Sequence, residues 1–223
     1  MIDKPVHRVH AVRRLSPSAF ILRFDRHGLR FEPGQYVNLG LRGSLAMREY
    51  SIYSGASEDF LEVLVREIPG GLVSAALALC EPGGELALEG PYGMFVTDPL
   101  QRGSARYLFI GSGTGISPFH CLVASYPRID YLLLHGTRTA DERFDAEAFD
   151  ARRFIRCISR SPGHLGTASR DYGGRVTGWL RENRVDPASL CYLCGNSDMI
   201  YEAFSILKEQ GVPRDHLFAE IYF

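Results

Sequence analysis

Through the first hundred residues, apolar positions alternate with polar ones or gather in short β-branched and aromatic runs. Such runs occupy Val6 to Arg13, Ala19 to Phe24, Tyr36 to Leu41, Tyr50 to Tyr53, Phe60 to Ile68 and Glu85 to Leu88. Glu32-Pro33-Gly34, Pro69-Gly70-Gly71 and Glu81-Pro82-Gly83-Gly84 separate them, which predicts an antiparallel barrel or sandwich. Leu72 to Leu79 breaks the alternation with Ala and Leu, good helix formers, and predicts one helix among the strands. From about Ala105 the period switches back and forth. Strands are expected at Tyr107 to Ile110, Tyr131 to Leu134, Phe154 to Ile158, Leu190 to Leu193 and Phe218 to Phe223. Helices are expected at Ser117 to Ala124, Val176 to Glu182 and Asp198 to Glu209, so this part reads as a parallel sheet with helices on both faces. The turn-rich stretch Asp98 to Ser104 marks the boundary, giving domains of 1–100 and 101–223.

Composition narrows the classes without naming one. With 223 residues, 45% hydrophobic and 23% charged, the chain has enough apolar material for two cores, and no apolar run reaches membrane-span length. A net charge of -1 does not suit a nucleic-acid binder that relies on bulk electrostatics. Five cysteines at irregular spacing do not make the ligand set of an iron-sulfur cluster or structural zinc, so no metal is expected. Cys191 and Cys194, three apart on a predicted strand, fall on opposite faces and do not suit a dithiol pair. The first residues lack the apolar stretch of an export signal, so the cytoplasm is the expected compartment. Residues 1–50 carry 9 basic and 4 acidic side chains, an excess that an acidic protein partner could read, or simply a solvated face.

Gly111-Ser112-Gly113-Thr114-Gly115 sits between a predicted strand and a predicted helix, where backbone N–H groups can receive a phosphate. Its spacing departs from G-x-G-x-x-G, and a plain tight turn stays open as a reading. Arg138, Arg160 and Arg175 follow the second strand, follow the third strand and precede the next helix. The ends of parallel strands gather at one edge, so the three can converge on an anion such as the 2′-phosphate of NADP.

With these residues in place the chain resembles the ferredoxin:NADP reductases, in particular the compact bacterial ferredoxin or flavodoxin reductases. Six motifs in chain order carry the resemblance: Arg48-Glu49-Tyr50-Ser51-Ile52-Tyr53-Ser54, Gly70-Gly71-Leu72-Val73-Ser74, Gly90-Pro91-Tyr92-Gly93-Met94-Phe95, Gly113-Thr114-Gly115-Ile116-Ser117-Pro118, Cys194-Gly195-Asn196-Ser197-Asp198-Met199 and Glu220-Ile221-Tyr222-Phe223. The resemblance implies an FAD-binding antiparallel barrel in 1–100 and an NADP-binding α/β domain in 101–223 whose aromatic C-terminal strand returns to the flavin. It implies a flavoenzyme that moves a hydride between NADP(H) and FAD, and single electrons between FAD and a separate ferredoxin or flavodoxin.

The resemblance also assigns residues. Arg48 pairs with the FAD pyrophosphate, Tyr50 stacks on the flavin, and Gly70, Gly71, Leu72, Val73 and Ser74 receive phosphate at the helix start. Ile52, Ser54 and Val65 join the flavin-binding set, and Ser51 places its hydroxyl near the flavin N5. Gly113, Thr114, Gly115, Cys194 and Gly195 hold NADP(H), with Cys194 beside the nicotinamide and Glu220 near it. Tyr222 or Phe223 covers the other flavin face, and which of the two does so stays open. The chain is short for the family, so FMN stays open beside FAD, and the polar stretch Ser161 to Arg170 sets Arg170 against Arg160 and Arg175 for the phosphate. Two other readings remain: an NADH-dependent reductase component of an oxygenase system, and a regulatory subunit that binds flavin and nucleotide without turnover.

Overall fold

The structure, a computed structural model, describes residues 5–160 and 170–222. The chain divides into two compact units, one made of Met1–Val96 with Ser117–Ser125 and the other of Thr97–Ile116 with Tyr126–Phe223.

The first unit is an antiparallel barrel. Strands β1 (His7–Ser16), β2 (Ala19–Asp25), β3 (Tyr36–Leu41), β4 (Arg48–Ser51), β5 (Phe60–Arg66) and β6 (Glu85–Tyr92) pair in the order β4-β3-β6-β1-β2-β5. The two end strands meet just past β4, where Ile52 bridges Val63 and Tyr53 N donates to Glu62 O at 2.7 Å. Closure leaves no free sheet edge there to pair with other chains. The alternation seen in the sequence becomes an inside and an outside. Phe20, Leu22 and Phe24 of β2, Val37 and Leu39 of β3, and Leu61, Val63 and Val65 of β5 share one buried core.

Helix α1 (Leu72–Ala78) sends Val73 and Leu77 into that core and leaves Leu72 in solvent. Helix α2 (Ser117–Ser125) also packs with the barrel, although by chain order it belongs to the α/β part. Its Cys121 joins the barrel core, and His120 stacks on Tyr53 with ring centroids 3.7 Å apart and its Nδ1 2.8 Å from the Tyr53 carbonyl.

The second unit is a parallel sheet of β7 (Arg106–Ser112), β8 (Asp130–Thr137), β9 (Phe154–Ile158), β10 (Leu190–Gly195) and β11 (Leu217–Ile221), in the order β11-β10-β7-β8-β9. Helices α3 (Val176–Glu182) and α4 (Ser197–Glu209) cover one face, packing Leu180, Ile200 and Ala203 on Leu108, Ile110, Leu134, Cys191 and Leu193. Tyr107, Phe109, Tyr131 and Tyr192 alternate with those residues and form an aromatic layer on the other face. The sequence predicted these elements to within a few residues. It did not foresee the short 3₁₀ turn Gly113–Ile116 between β7 and α2. The stretch Ser161 to Ser169 lies outside the described residues.

Barrel closure supplies a measurable expectation. The Ser54 hydroxyl accepts from the backbone N–H of Glu62 at 3.0 Å in a buried setting. Ser54→Ala strands that donor, so the unfolding free energy measured by urea titration should drop by about 1–3 kcal/mol.

Candidate functional site

In the second unit the chain builds outward from β7 in two directions, first through β8 and β9, then back to β10 and β11 on the other side. The strand order therefore reverses between β7 and β10. In open parallel sheets, ligands bind at the carboxyl ends of the strands flanking such a reversal. Two loops leave the sheet there, Gly113–Ile116 after β7 and Gly195-Asn196 after β10.

The two loops touch backbone to backbone. A Cβ on Gly115 would stand 2.3 Å from the Cys194 carbonyl oxygen, and one on Gly195 would stand 2.5 Å from Ser112 Oγ. Gly195 also has φ +125°, a backbone conformation L side chains rarely adopt. Ser112 Oγ accepts from Asn196 N at 3.0 Å, and the Asn196 side chain caps α4 by accepting from Met199 N at 3.2 Å. The residues assigned to NADP in this loop pair, Gly113, Thr114, Gly115, Cys194 and Gly195, thus lie at one place in the unit.

Cys194 pairs with Glu220 across β10 and β11, and Tyr222 N donates to Gly195 O at 2.9 Å. The Cys194 thiol is fully buried, and burial first, then the nearby Glu220 carboxylate, push its pKa well above the ordinary range, partly opposed by a hydrogen bond with the Tyr222 side chain. It therefore stays a protonated, polarizable thiol and not a nucleophile. Cys191 faces the α3–α4 core, so the two cysteines are not a redox pair. Phe223 lies outside the described residues.

The arginines also gather. Arg138 and Arg160, just past β8 and β9, are tied by a bond from Arg160 N to Arg138 O of 2.9 Å, and both side chains are exposed. Arg175 sits at the N-cap of α3, whose first residue, Val176, faces Gly136 at the end of β8. All three lie along the carboxyl edge of the sheet. Among the described residues, no ion pair engages the guanidinium of Arg138 or Arg160. Arg170 is exposed and donates to the Arg152 carbonyl.

In the first unit, Arg48, Tyr50 and Ser51 lie on or at the end of β4. The Arg48 guanidinium donates to the neighbouring Met47 carbonyl at 2.8 Å and is otherwise exposed. Tyr50 packs on the barrel core, its pKa pushed up to about 12 by burial against the opposing charge of Arg48. Ser51 is buried. The first turn of α1 has no side-chain cap, and Gly71 N donates to Ile68 O at 2.8 Å. Ser74 Oγ accepts from Ile68 N at 3.1 Å, so its hydroxyl is already engaged in the turn that starts the helix. Ile52 and Val65 are buried in the core, and the buried Ser54 hydroxyl bonds the Glu62 backbone. An exposed guanidinium, an uncapped helix start and a half-buried phenol ring are the donor set and apolar surface that a flavin dinucleotide needs, so the residues fit FAD.

His135, a residue without a role in the sequence analysis, is fully buried near the end of β8, and its Nε2 lies 2.8 Å from the Gly113 carbonyl. Only the apolar run around it distinguishes it in the sequence, because its partner is set by the pairing of Gly111 with His135 across β7 and β8. Burial first, with Arg156 adding repulsion against the Gly113 bond, lowers its pKa to about 4. Ser112 was likewise missed as the residue that fastens the second loop.

Two tests follow from this geometry. Gly115→Ala must force the loops apart, since the obstructing atom is a backbone oxygen. Nicotinamide-nucleotide affinity should fall more than tenfold while FAD content stays near that of the unaltered protein, both read by titrations of flavin absorbance. For His135, the unfolded chain takes up a proton below its ordinary pKa near 6.5 and the folded one only near 4. Stability should therefore fall as pH drops through that window, by up to about 1.4 kcal/mol per pH unit from this group. His135→Phe should lose that part of the slope in urea titrations at pH 7 and pH 5.

Residues 7–97 match the oxidoreductase FAD-binding domain family. The chain is 33% identical to ferredoxin–NADP reductase B of Sorangium cellulosum, over 96% of each chain. It is 28% identical to the reductase component of propane 2-monooxygenase from a Gordonia species, over 95% of this chain but spanning only 65% of that protein. A ferredoxin NADP+ reductase from Neisseria gonorrhoeae, solved with bound FAD and NADP, has the same fold with a TM-score of 0.84, 22% identity and 98% coverage of both chains. The two-unit architecture, the FAD-binding domain match and the Sorangium relative together place this chain in the ferredoxin–NADP reductase family.

Proposed function

We propose that this FAD-binding oxidoreductase exchanges a hydride with NADP(H) and single electrons with a separate ferredoxin or flavodoxin. The observation that carries the reading is the arginine edge: Arg138 and Arg160 joined at adjacent strand ends, exposed and not ion-paired among the described residues, with Arg175 on the same edge. FAD, when bound, accepts a hydride and releases electrons one at a time. The chain holds it through Arg48 and the start of α1 at its phosphates and through Tyr50 at its ring. The loops around Gly115 and Gly195 cradle the nucleotide. Cys194 contributes a neutral, polarizable wall, Glu220 a carboxylate on the adjoining strand, and Tyr222 an aromatic ring held to Cys194.

The excess positive charge of residues 1–50 supports a carrier-docking face less strongly than the sequence suggested. Arg14 pairs with Glu67 at 2.5 Å, and Arg8 and Arg42 share Glu85 at 2.9 and 3.0 Å. The similarity to an oxygenase reductase component supports a second reading, an NADH-dependent reductase serving an oxygenase. Among the described residues, no helix is long and apolar enough to cross a membrane.

Coenzyme preference separates the two. Each charge-assisted hydrogen bond to a 2′-phosphate contributes about 1.5–3 kcal/mol, so two of them favour NADPH roughly a hundredfold or more. The FAD-loaded protein reducing an artificial acceptor should show that preference in kcat/KM. Replacing Arg138 and Arg160 together by Ala should erase most of it by raising KM for NADPH alone. Equal use of NADH by the unaltered protein overturns the phosphate assignment and favours the oxygenase reading.

A further inference from the structure

His135 stands out among the buried polar groups because the reaction just described does not use it. Its ring lies edge-on to Phe144 with centroids 5.2 Å apart, and Phe154 lies over it at 6.2 Å and 28°. Arg156 of β9 is its register partner, and Gly111 of β7 faces it from the other side. No acidic group within the described residues balances it: Arg156 turns away to pair with Asp171. Among the described residues, the Nδ1 atom is buried with no hydrogen-bond partner. One side of the imidazole is thus unsatisfied, and the other makes a single bond, from Nε2 to the Gly113 carbonyl at 2.8 Å.

Only a donor can meet a carbonyl, so Nε2 carries the proton and Nδ1 is the bare acceptor. An apolar ring of similar volume would fill this aromatic slot without leaving a buried nitrogen unpaired. What such a ring could not do is hold Gly113, a residue at φ +55°, a conformation open to glycine with or without this bond. A peptide plane is rigid, so fixing the Gly113 carbonyl fixes the direction of the Gly113–Thr114 plane at the start of the 3₁₀ turn.

We propose that His135 is a positioning residue for nucleotide binding: its Nε2–H anchors the Gly113 carbonyl and thereby sets the glycine loop in the shape that receives the dinucleotide. This rests on the reading of that loop as the nicotinamide-nucleotide site. His135 touches neither nucleotide nor flavin in this role, so it acts on affinity and not on the chemical step.

The test uses the full-length, FAD-loaded protein with NADP+ as the titrant, followed by flavin absorbance, and NADPH as substrate with an artificial acceptor. His135→Phe should weaken NADP+ binding and raise KM for NADPH about five- to tenfold, the size expected for one lost neutral hydrogen bond. kcat at saturation should change less than twofold and FAD content not at all. His135→Gln places an amide N–H near the position of Nε2 and should recover most of the lost affinity. If the Phe variant does not fold, His135→Met takes its place under the same expectation. Affinity unchanged in the apolar variant, or no better in Gln than in Phe with both folded and flavin-loaded, overturns the proposal. An unaltered protein that binds neither NADP+ nor NAD+ overturns the loop's assignment together with it, whereas an unaltered protein that binds NADP+ tightly alongside an equally tight Phe variant overturns the role of His135 alone.

Discussion

The second unit depends on a contact between two backbones at the point where its strand order reverses. β7 and β10 are hydrogen-bonded neighbours in register, and their outgoing loops approach so closely that neither Gly115 nor Gly195 has room for a side chain. A contact of that kind cannot be tuned by rotamer changes, because what blocks it is a carbonyl oxygen in one case and the Ser112 backbone and hydroxyl in the other. It forces the start of the 3₁₀ turn and the N-cap of α4 to share one small volume at the sheet's carboxyl edge. Everything proposed to meet the nicotinamide, from Cys194 to Tyr222, is positioned by the strands that enter this contact.

Around that contact the unit keeps buried groups neutral and leaves charge at the rim. The Cys194 thiol and the His135 imidazole are fully buried, and burial pushes both toward their uncharged forms, the thiol upward and the imidazole downward. A neutral thiol and a neutral ring give packing and hydrogen bonding without a fixed charge that would favour one redox state of a nicotinamide over the other. The barrel uses a different economy. There the buried polar atoms, such as Ser54 Oγ and Ser74 Oγ, are spent on backbone N–H groups where strands close or a helix starts.

The periodicity of the chain made the two architectures legible, since a period of two followed by strands alternating with helices needs no tertiary information. The glycine loop and Cys194-Gly195 were legible as motifs, yet the reason for their glycines was not, because Gly115 meets a residue 79 positions away in the chain. His135 was illegible for the same reason: its meaning is a register, Gly111 beside His135, that a local window does not contain. Helix α2 reads as part of a βα unit from sequence, and its packing with the barrel comes from Cys121 and His120, which look like ordinary helix residues until Tyr53 and the barrel core are seen beside them.

Arg156, Arg138 and Arg160 show how position decides what a charge can do. Arg156 lies within β9, its side chain only 14% exposed, and a guanidinium so placed must have a partner, which Asp171 and the Ala140 carbonyl provide. Arg138 and Arg160 stand beyond the last strand-paired residues, where water solvates their guanidinium groups, and the lack of an ion pair for either among the described residues costs the fold almost nothing. The place where β8 and β9 stop therefore sets how many arginines the sheet edge can offer to a phosphate, and it does so through backbone pairing, before any side chain meets a ligand.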